Sequence, residues 1–378
     1  VKILLVGNYR TDRQESMQRF AALLEAGLVA SGVGIEVRMI RPEPVFGRLK
    51  PAAYGVGKWL GYLDKFLLFP WRLRKAARWA DVVHVCDHSN AFYTADVGST
   101  PVLVTCHDLL AVRGGLGEDT DCPASYAGRI LQRWILAGLR KATWIACDST
   151  YTQDDLRRLT DEDRVSRSSV VLLGLNQPFR KLTEEESRQR LLEVEGLDLE
   201  VPYLLCVGRN LRRKNRDGML RLMARLKGRW HGRLVIAGEP LDEGLEKLKD
   251  ELGVGEQVVK IIKPSHEVLE ALYNRAYALL FLSRFEGFGW PVVEAQTCGC
   301  PVICSDRTSV PEVAGDAALV VDIDEVESVA AAVLKLEDGA QRADLIKRGL
   351  QNAPRFLAQR MMDDYLQLYQ KLCDKSGR

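Results

Sequence analysis

The sequence predicts an α/β protein built from two doubly wound parallel-sheet domains facing a central cleft. Short apolar runs alternate with helix-like stretches along nearly the whole chain, the signature of successive strand–helix–strand units. Most of these runs are continuously apolar, as expected of parallel strands covered on both faces. The length, 378 residues, is too great for one typical domain and sufficient for two with separate cores.

In the first half, strands are predicted at 2–6, 35–40, 82–86, 102–106, 143–147 and 169–173. In the second half they are predicted at 203–207, 233–237, 257–262, 278–282, 301–304 and 318–321. The charged, helix-prone stretch 181–200 between the two sets reads as a linker. The domains are therefore expected at 1–178 and 179–354. A last helix, 355–374, carries Phe356, Leu357, Met361, Met362, Tyr365 and Leu368 near helical spacing and is expected to pack back onto the first domain. In open α/β sheets, ligands bind at the carboxyl ends of the strands, which here would line the cleft.

Composition excludes several classes. A net charge of +2, with 28% charged and 47% apolar residues, gives no support for nucleic-acid binding through global charge. No stretch approaches the ~18 apolar residues needed to span a bilayer. The opening residues, Val1 to Gly7, lack the pattern of a secretory signal. Nine cysteines make an odd count, and Cys86, Cys106, Cys147 and Cys206 sit inside apolar runs, which argues for reduced thiols and a cytoplasmic protein. Cys298, Cys300 and Cys304 lack a matching pair at ligand spacing, so packing is the stronger reading than zinc.

The most informative stretch is Glu286-Gly287-Phe288-Gly289-Trp290-Pro291-Val292-Val293-Glu294. It follows an apolar strand, bends at glycines, and enters a helix with Pro291 at its start and Gly299 and Pro301 at its stop. Backbone N–H groups at such a helix mouth favour an anion. Two carboxylates beside an anion site suit a ligand carrying hydroxyls as well as phosphate, such as a sugar nucleotide.

Other strand ends add candidates. Gly208-Arg209 closes one strand and Lys214 follows, a cation pair suited to a diphosphate, whereas Arg212, Arg213 and Arg216 in the same loop read mostly as solvated. His107-Asp108 closes another, where His107 could orient a sugar or be structural, and Asp87 and His88 stand in the same kind of position. Asp322-Ile323-Asp324 is spaced like a metal-binding pair, but Asp324 with Glu327 reads better as a capping box. Between Gly47 and Ala80 lie eight Lys/Arg, one acid and seven aromatic residues. Trp59, Tyr62, Leu63, Phe66 and Leu67 share a helical face there, so 58–79 could make peripheral contact with an anionic membrane or pack inside the domain.

Taken together with Ser309-Val310-Pro311-Glu312-Val313 and Gly315-Asp316-Ala317, these motifs resemble the retaining glycosyltransferases of family 4 (glycosyltransferase group 1). The resemblance is closest over 204–322 and thinner in the first half, where Thr105–Leu109, Ile145–Ser149 and Gly174 carry it. It implies the GT-B fold of two Rossmann-like domains, an acceptor-side first domain, a donor site mostly in the second, and no required metal ion. It implies further that Arg209 and Lys214 hold the donor diphosphate and neutralise the leaving group. Glu286 and the backbone N–H groups of Gly287, Phe288, Gly289 and Trp290 would contact the donor sugar. Glu294 would accept from the ribose, and His107 would lie near the sugar from the other domain. Three departures are visible: Asn8 to Asp12 follow Gly7 where the family often has glycines, Thr308-Ser309 stand where Gly-Gly or Gly-Ile is common, and Trp290 replaces a common leucine.

The resulting expectation is a hexosyltransferase using a nucleotide-diphosphate sugar such as a UDP- or GDP-sugar, with no cofactor and no metal, acting on a glycan, glycolipid or small-molecule hydroxyl. Two alternatives stay open. One is a two-domain sugar-binding protein without chemistry, and the other a nucleotide-sugar epimerase or phosphorylase on the same fold.

Overall fold

The computed structural model describes residues 1–12, 14–32, 34–49, 56–160 and 166–376. The chain divides into two compact units, Val1–Asn176 with Ala358–Arg378, and Gln177–Leu357.

The first unit holds β1 (Lys2–Val6), β2 (Glu36–Ile40), β3 (Val82–Val85), β4 (Val102–Cys106), β5 (Trp144–Cys147) and β6 (Ser168–Val170). They form one sheet in the order β2-β1-β3-β4-β5-β6, every pair parallel. β3, β4 and β5 are buried at every residue, which is why they read as apolar runs interrupted only by His84 and Thr105, while the edge strand β2 is only partly covered. The second unit holds β7 (Tyr203–Gly208), β8 (Arg233–Gly238), β9 (Val258–Ile262), β10 (Ala278–Phe281), β11 (Val302–Ser305) and β12 (Leu319–Val321). Their order is β12-β11-β10-β7-β8-β9, again all parallel. The fold is thus two separate six-stranded, doubly wound sheets, and strand limits differ from the sequence expectation by at most three residues.

Each sheet reverses its strand order once, between β1 and β3 in the first unit and between β10 and β7 in the second. At such a point the loops after the two neighbouring strands leave toward opposite faces and open a crevice between them. Asn8 follows β1, and Asp87 and His88 follow β3; Arg209 follows β7, and Glu286 lies in the loop after β10.

The helix Ala358–Ser376 lies in the first unit and is tied to its sheet by a buried polar chain. His84 on β3 shares hydrogen bonds with the Tyr369 hydroxyl (2.6 Å) and with Thr105 Oγ1 (2.8 Å), and Thr105 in turn meets the Tyr365 hydroxyl at 2.8 Å. Burial holds His84 neutral, down to about 3. Met362 fills the space above Gly27, where a Cβ would stand 2.4 Å from its sulfur. This helix begins at Ala358 rather than 355, because Ala353–Phe356 is a separate 3₁₀ turn of the second unit.

One expectation is corrected. The stretch 181–200 is no linker: its helix Glu184–Leu191 is capped by Thr183 and packs on the helix His266–Arg275. Arg190 pairs with the buried Glu270 at 2.6 Å, and the Arg180 N–H donates to the same carboxylate. The stretch read as a linker because its charges are many, but Arg190 finds a buried partner on a helix far along the chain.

At the second switch point the backbones of β7 and β8 approach closely. Gly208 and Gly238 are paired in register, with φ of +127° and +135°. A Cβ on residue 238 would sit 2.2 Å from the Gly208 carbonyl oxygen. Gly238→Ala is therefore expected to cost about 2–4 kcal/mol, measured by urea unfolding, whereas Ala at the open Gly228 should cost less despite its own positive φ.

Candidate functional site

The crevice of the second unit is built on a guanidinium. Arg216, first residue of the helix Arg216–Leu226, is buried and donates to the carbonyls of Gly208 (2.8 Å), Glu239 (2.9 Å) and Pro240 (3.3 Å). It stitches the ends of β7 and β8 together and is not solvated as the sequence suggested. Its acceptors are backbone atoms, which no side-chain pattern reveals.

On that base stand the two predicted cations. Arg209 is exposed and its Nε lies 3.1 Å from Glu239 Oε1, while the Asn210 N–H donates to the same carboxylate. That backbone bond, with Arg209 behind it, holds Glu239 below the ordinary glutamate range. Lys214 ends a 3₁₀ turn, Arg212–Lys214, followed by Asn215 in the left-handed conformation. Its Nζ donates to Glu286 Oε1 at 2.6 Å and lies 4.9 Å from the centre of the Phe281 ring. Lys214 and Glu286 are thus brought together across the switch point, and Arg209 is held by a different carboxylate.

The turn carrying Glu286 is fixed by hydroxyls. The Glu286 N–H donates to Thr308 Oγ1 (3.0 Å), and the buried Ser309 hydroxyl reaches the carbonyls of both Glu286 (2.9 Å) and Phe288 (2.8 Å). Thr308 has φ of +56°, which is the physical reason glycine suits this position. Thr308-Ser309, a departure from the family's common glycines in the sequence, therefore brace the turn. Gly289, at φ +124°, precedes the helix Trp290–Thr297. Gly287 and the half-buried Trp290 flank Phe288, whose ring is buried against Phe356 and Trp290. The helix dipole adds partial positive charge at this mouth.

Glu294 lies inside that helix and accepts from the Tyr273 hydroxyl at 2.7 Å. Tyr273 is fully buried, and burial first, with Glu294 second, pushes its phenol well above the usual range, so it stays a donor. A buried tyrosine needs a partner for its hydroxyl, and that is the one signal in the sequence that could have pointed to this residue.

His107 follows β4 in the first unit, next to the other switch point. Its Nδ1 meets Asp148 Oδ2 at 2.5 Å and its Nε2 meets the Cys86 carbonyl at 2.9 Å, so both ring nitrogens are engaged within the unit. Burial pushes the imidazole toward neutrality, but the Asp148 carboxylate, aided by Asp87, overrides this and raises it to about 9. Asp87 accepts from Asn8 Nδ2 (2.5 Å) and from the backbone and hydroxyl of Ser89. His88 Nδ1 lies 3.4 Å from Asp87. Among the described residues, Asn8 Oδ1, Asn90 Nδ2 and Asp148 Oδ1 are buried without a hydrogen-bond partner, which leaves a polar floor at the ends of β1, β3 and β5.

The remaining candidates have other employment. Arg307 pairs with both Asp322 (3.1 Å) and Asp324 (2.9 Å). The predicted capping box is absent: Glu325 precedes the helix Val326–Lys335 without a side-chain cap, and Glu327 pairs with Arg225 and Arg229 instead. Cys298, Cys300 and Cys304 are buried thiols, and burial pushes all three up. Among the described residues no group of three His, Cys, Asp or Glu is placed to hold a metal ion.

Comparison with known proteins follows the same division of the chain. The family described as "Glycosyl transferases group 1" matches residues 187–352, and "Glycosyltransferase Family 4" matches 17–171. O-antigen chain mannosyltransferase B of Escherichia coli is 36% identical over 160 residues, 41% of this chain and 42% of that protein. D-inositol 3-phosphate glycosyltransferase of Mycobacterium marinum is 27% identical over 305 residues, 75% and 63% of the two chains. The matches thus span less than two thirds of these relatives' own lengths. Among solved structures, sucrose-phosphate synthase from Thermosynechococcus elongatus superposes with a TM-score of 0.78 at 19% identity, over 98% of each chain. HepE of Anabaena, in complex with UDP-glucose, gives 0.74 at 14% identity, over 98% of this chain and 99% of that one.

The His107–Asp148 pair predicts a pH dependence of stability. A histidine raised from 6.5 to about 9 contributes its full stabilisation below 6.5 and loses it as pH rises through 9. His84, held down to about 3, affects only the range below its ordinary value. Wild type should therefore lose on the order of 2–3 kcal/mol between these limits that Asp148→Asn does not, read from urea unfolding at a series of pH values.

Proposed function

Because the chain belongs to the group 1 glycosyltransferases, we propose that it is a hexosyltransferase moving a sugar from a nucleoside diphosphate to an acceptor hydroxyl, with retention of anomeric configuration. The observation that carries this reading is the Lys214–Glu286 pair, held at 2.6 Å where β7 and β10 lie side by side. A largely buried ion pair contributes little net stability, since desolvation offsets most of the attraction. Its two charges instead suit the two halves of a donor. Lys214 turns to the diphosphate with Arg209, and Glu286 accepts from hydroxyls of the sugar. Backbone N–H groups from Gly287 to Trp290 add to the grip, and Glu294, held by Tyr273, accepts from the ribose.

In the reaction, the bond between the anomeric carbon and the diphosphate oxygen breaks, and negative charge grows on the departing phosphate. Arg209, Lys214 and the helix mouth stabilise that charge, which is the part of the barrier this chain is equipped to lower. The acceptor hydroxyl attacks from the same face, forms the new glycosidic bond and passes its proton to a departing phosphate oxygen. We propose that no metal ion is needed, because two cations and a helix N-terminus already supply the charge; the pairing of Arg307 with Asp322 and Asp324 supports this. His107 serves as a fixed imidazolium at the end of β4.

The polar floor at Asn8, Asn90 and Asp148 supports a polyhydroxyl acceptor on the first unit. The likeness to an O-antigen mannosyltransferase supports an acceptor of the polysaccharide or glycolipid kind. Eight of the nine thiols are buried, which supports a reducing, cytoplasmic setting.

The test is turnover of UDP-, GDP- and ADP-sugars ranked first by thermal shift. Arg209→Ala and Lys214→Ala, each checked for folding, should lose roughly a hundredfold or more in kcat. Wild-type activity should survive EDTA. Near-normal rates in both variants would remove the diphosphate clamp, and a strict Mn²⁺ requirement would remove the metal-independent mechanism.

A further inference from the structure

The first unit carries a second surface, formed by helices rather than by the strand ends described above. The helix Val56–Leu63 passes through a π-helical turn, Asp64–Leu68, into the helix Phe69–Ala77. The sequence left open whether this segment packs inside the domain or meets a membrane, and the structure buries one face of it and exposes another. Phe69, Leu73 and Ala77 are buried in the core, whereas Leu63, Leu67 and Trp71 recur at four-residue spacing and are exposed, Leu67 to 65% and Trp71 to 68%. Tyr62 and Phe66, predicted to share that face, are half-buried, and the side chain of Trp59 lies outside the described residues.

A neighbouring helix extends the face. Tyr126–Lys141 exposes Tyr126, Ile130 and Trp134, the last to 54%. Phe66 meets Trp134 edge-on at 6.1 Å. Two adjoining grooves of 560 and 310 Å³ share these two rings as walls, one floored by Tyr62, Ile130 and Leu131, the other by Pro70, Phe92 and Ala137. Large apolar side chains on a folded surface are ordinary when scattered, but not when they gather from two helices around a groove.

The charge on this face is mostly of one sign, although Arg74 pairs with Asp96, which lines the smaller groove, and Lys65 with Asp12. Residues 60–80 and 126–141 carry nine Lys/Arg and a single acid, Asp64. That acid is buried, accepting from the Tyr9 hydroxyl and from the N–H groups of Val45, Phe46 and Gly47, so it does not offset the cations. Arg72, Lys75, Arg78, Arg129 and Arg133 are exposed and make no ion pair among the described residues. In a chain of net charge +2 this is a strong local asymmetry.

We propose that these two helices form a docking platform for an anionic phospholipid bilayer. Trp71, Trp134, Leu67 and Ile130 enter the headgroup boundary, while Arg72, Lys75, Arg129 and Arg133 reach the lipid phosphates. The mixture selects this occupant. A soluble polyanion would use the cations and leave two indoles in water. A second copy of the same face would set cation against cation, which costs affinity.

The test is flotation of the full chain with phosphatidylglycerol-containing vesicles at low salt, beside pure phosphatidylcholine vesicles. Wild type should float with the anionic vesicles and remain behind with the neutral ones. Trp71→Ser with Trp134→Ser, and separately Arg129→Gln with Arg133→Gln, should each lower partitioning roughly tenfold or more. All four side chains are exposed, so unchanged thermal midpoints are expected and verify folding. No flotation of wild type, or flotation of both variants equal to wild type, overturns the platform. So does a wild-type oligomer that the same substitutions dissolve in sedimentation velocity, which would make the face a self-association surface. None of these readouts depends on sugar transfer.

Discussion

Where β7 and β10 lie side by side, the loops that follow them leave toward opposite faces of the sheet and cannot fill the gap between them. A parallel sheet has one such place, and the rest of the second unit is arranged to hold charge there. Arg216 fixes the strand ends through three carbonyls, Gly208 and Gly238 let the two backbones approach, and Thr308 and Ser309 hold the opposing turn by its amide and carbonyls. Only with those supports in place do Lys214 and Glu286 meet. Neither lies on a regular element's interior, so without the bracing each would be a mobile loop side chain.

The first unit applies the same geometry to a different problem. Its switch point gathers Asn8, Asp87, His107 and Asp148, all buried, and resolves their charges by pairing an imidazolium with a carboxylate. His84 lies one strand away, two residues before Cys86, yet burial, with His107 nearby, holds it neutral while hydroxyls take up its ring nitrogens. Two buried histidines in the first unit therefore differ in charge state, since a carboxylate overrides the effect of burial at His107 and none does at His84.

Much of this was legible in the sequence for a simple reason. Central parallel strands are buried on both faces and so mostly apolar, which made them legible despite His84 and Thr105, and a glycine turn between a strand and a Pro-initiated helix marks its own position. What escaped was whatever depended on backbone acceptors or on partners distant along the chain. Arg216 serves carbonyls, Tyr273 serves Glu294 from another helix, and Arg190 finds Glu270 80 residues further on. The capping box was misread because Glu327 has two arginines competing for it. The exposed stripe at Leu63, Leu67 and Trp71 was shifted from the predicted one, since a π-helical turn alters which residues share a face.

The central claim is that Lys214 and Glu286 divide a donor between them, the cation taking diphosphate and the carboxylate taking sugar. Calorimetric titration of wild type, Lys214→Met and Glu286→Gln with the preferred nucleotide sugar, and with its bare nucleoside diphosphate, tests this directly. Lys214→Met should weaken both ligands, while Glu286→Gln should weaken only the one that carries a sugar. Equal loss of both ligands in Glu286→Gln, or unchanged diphosphate affinity in Lys214→Met, would contradict the account.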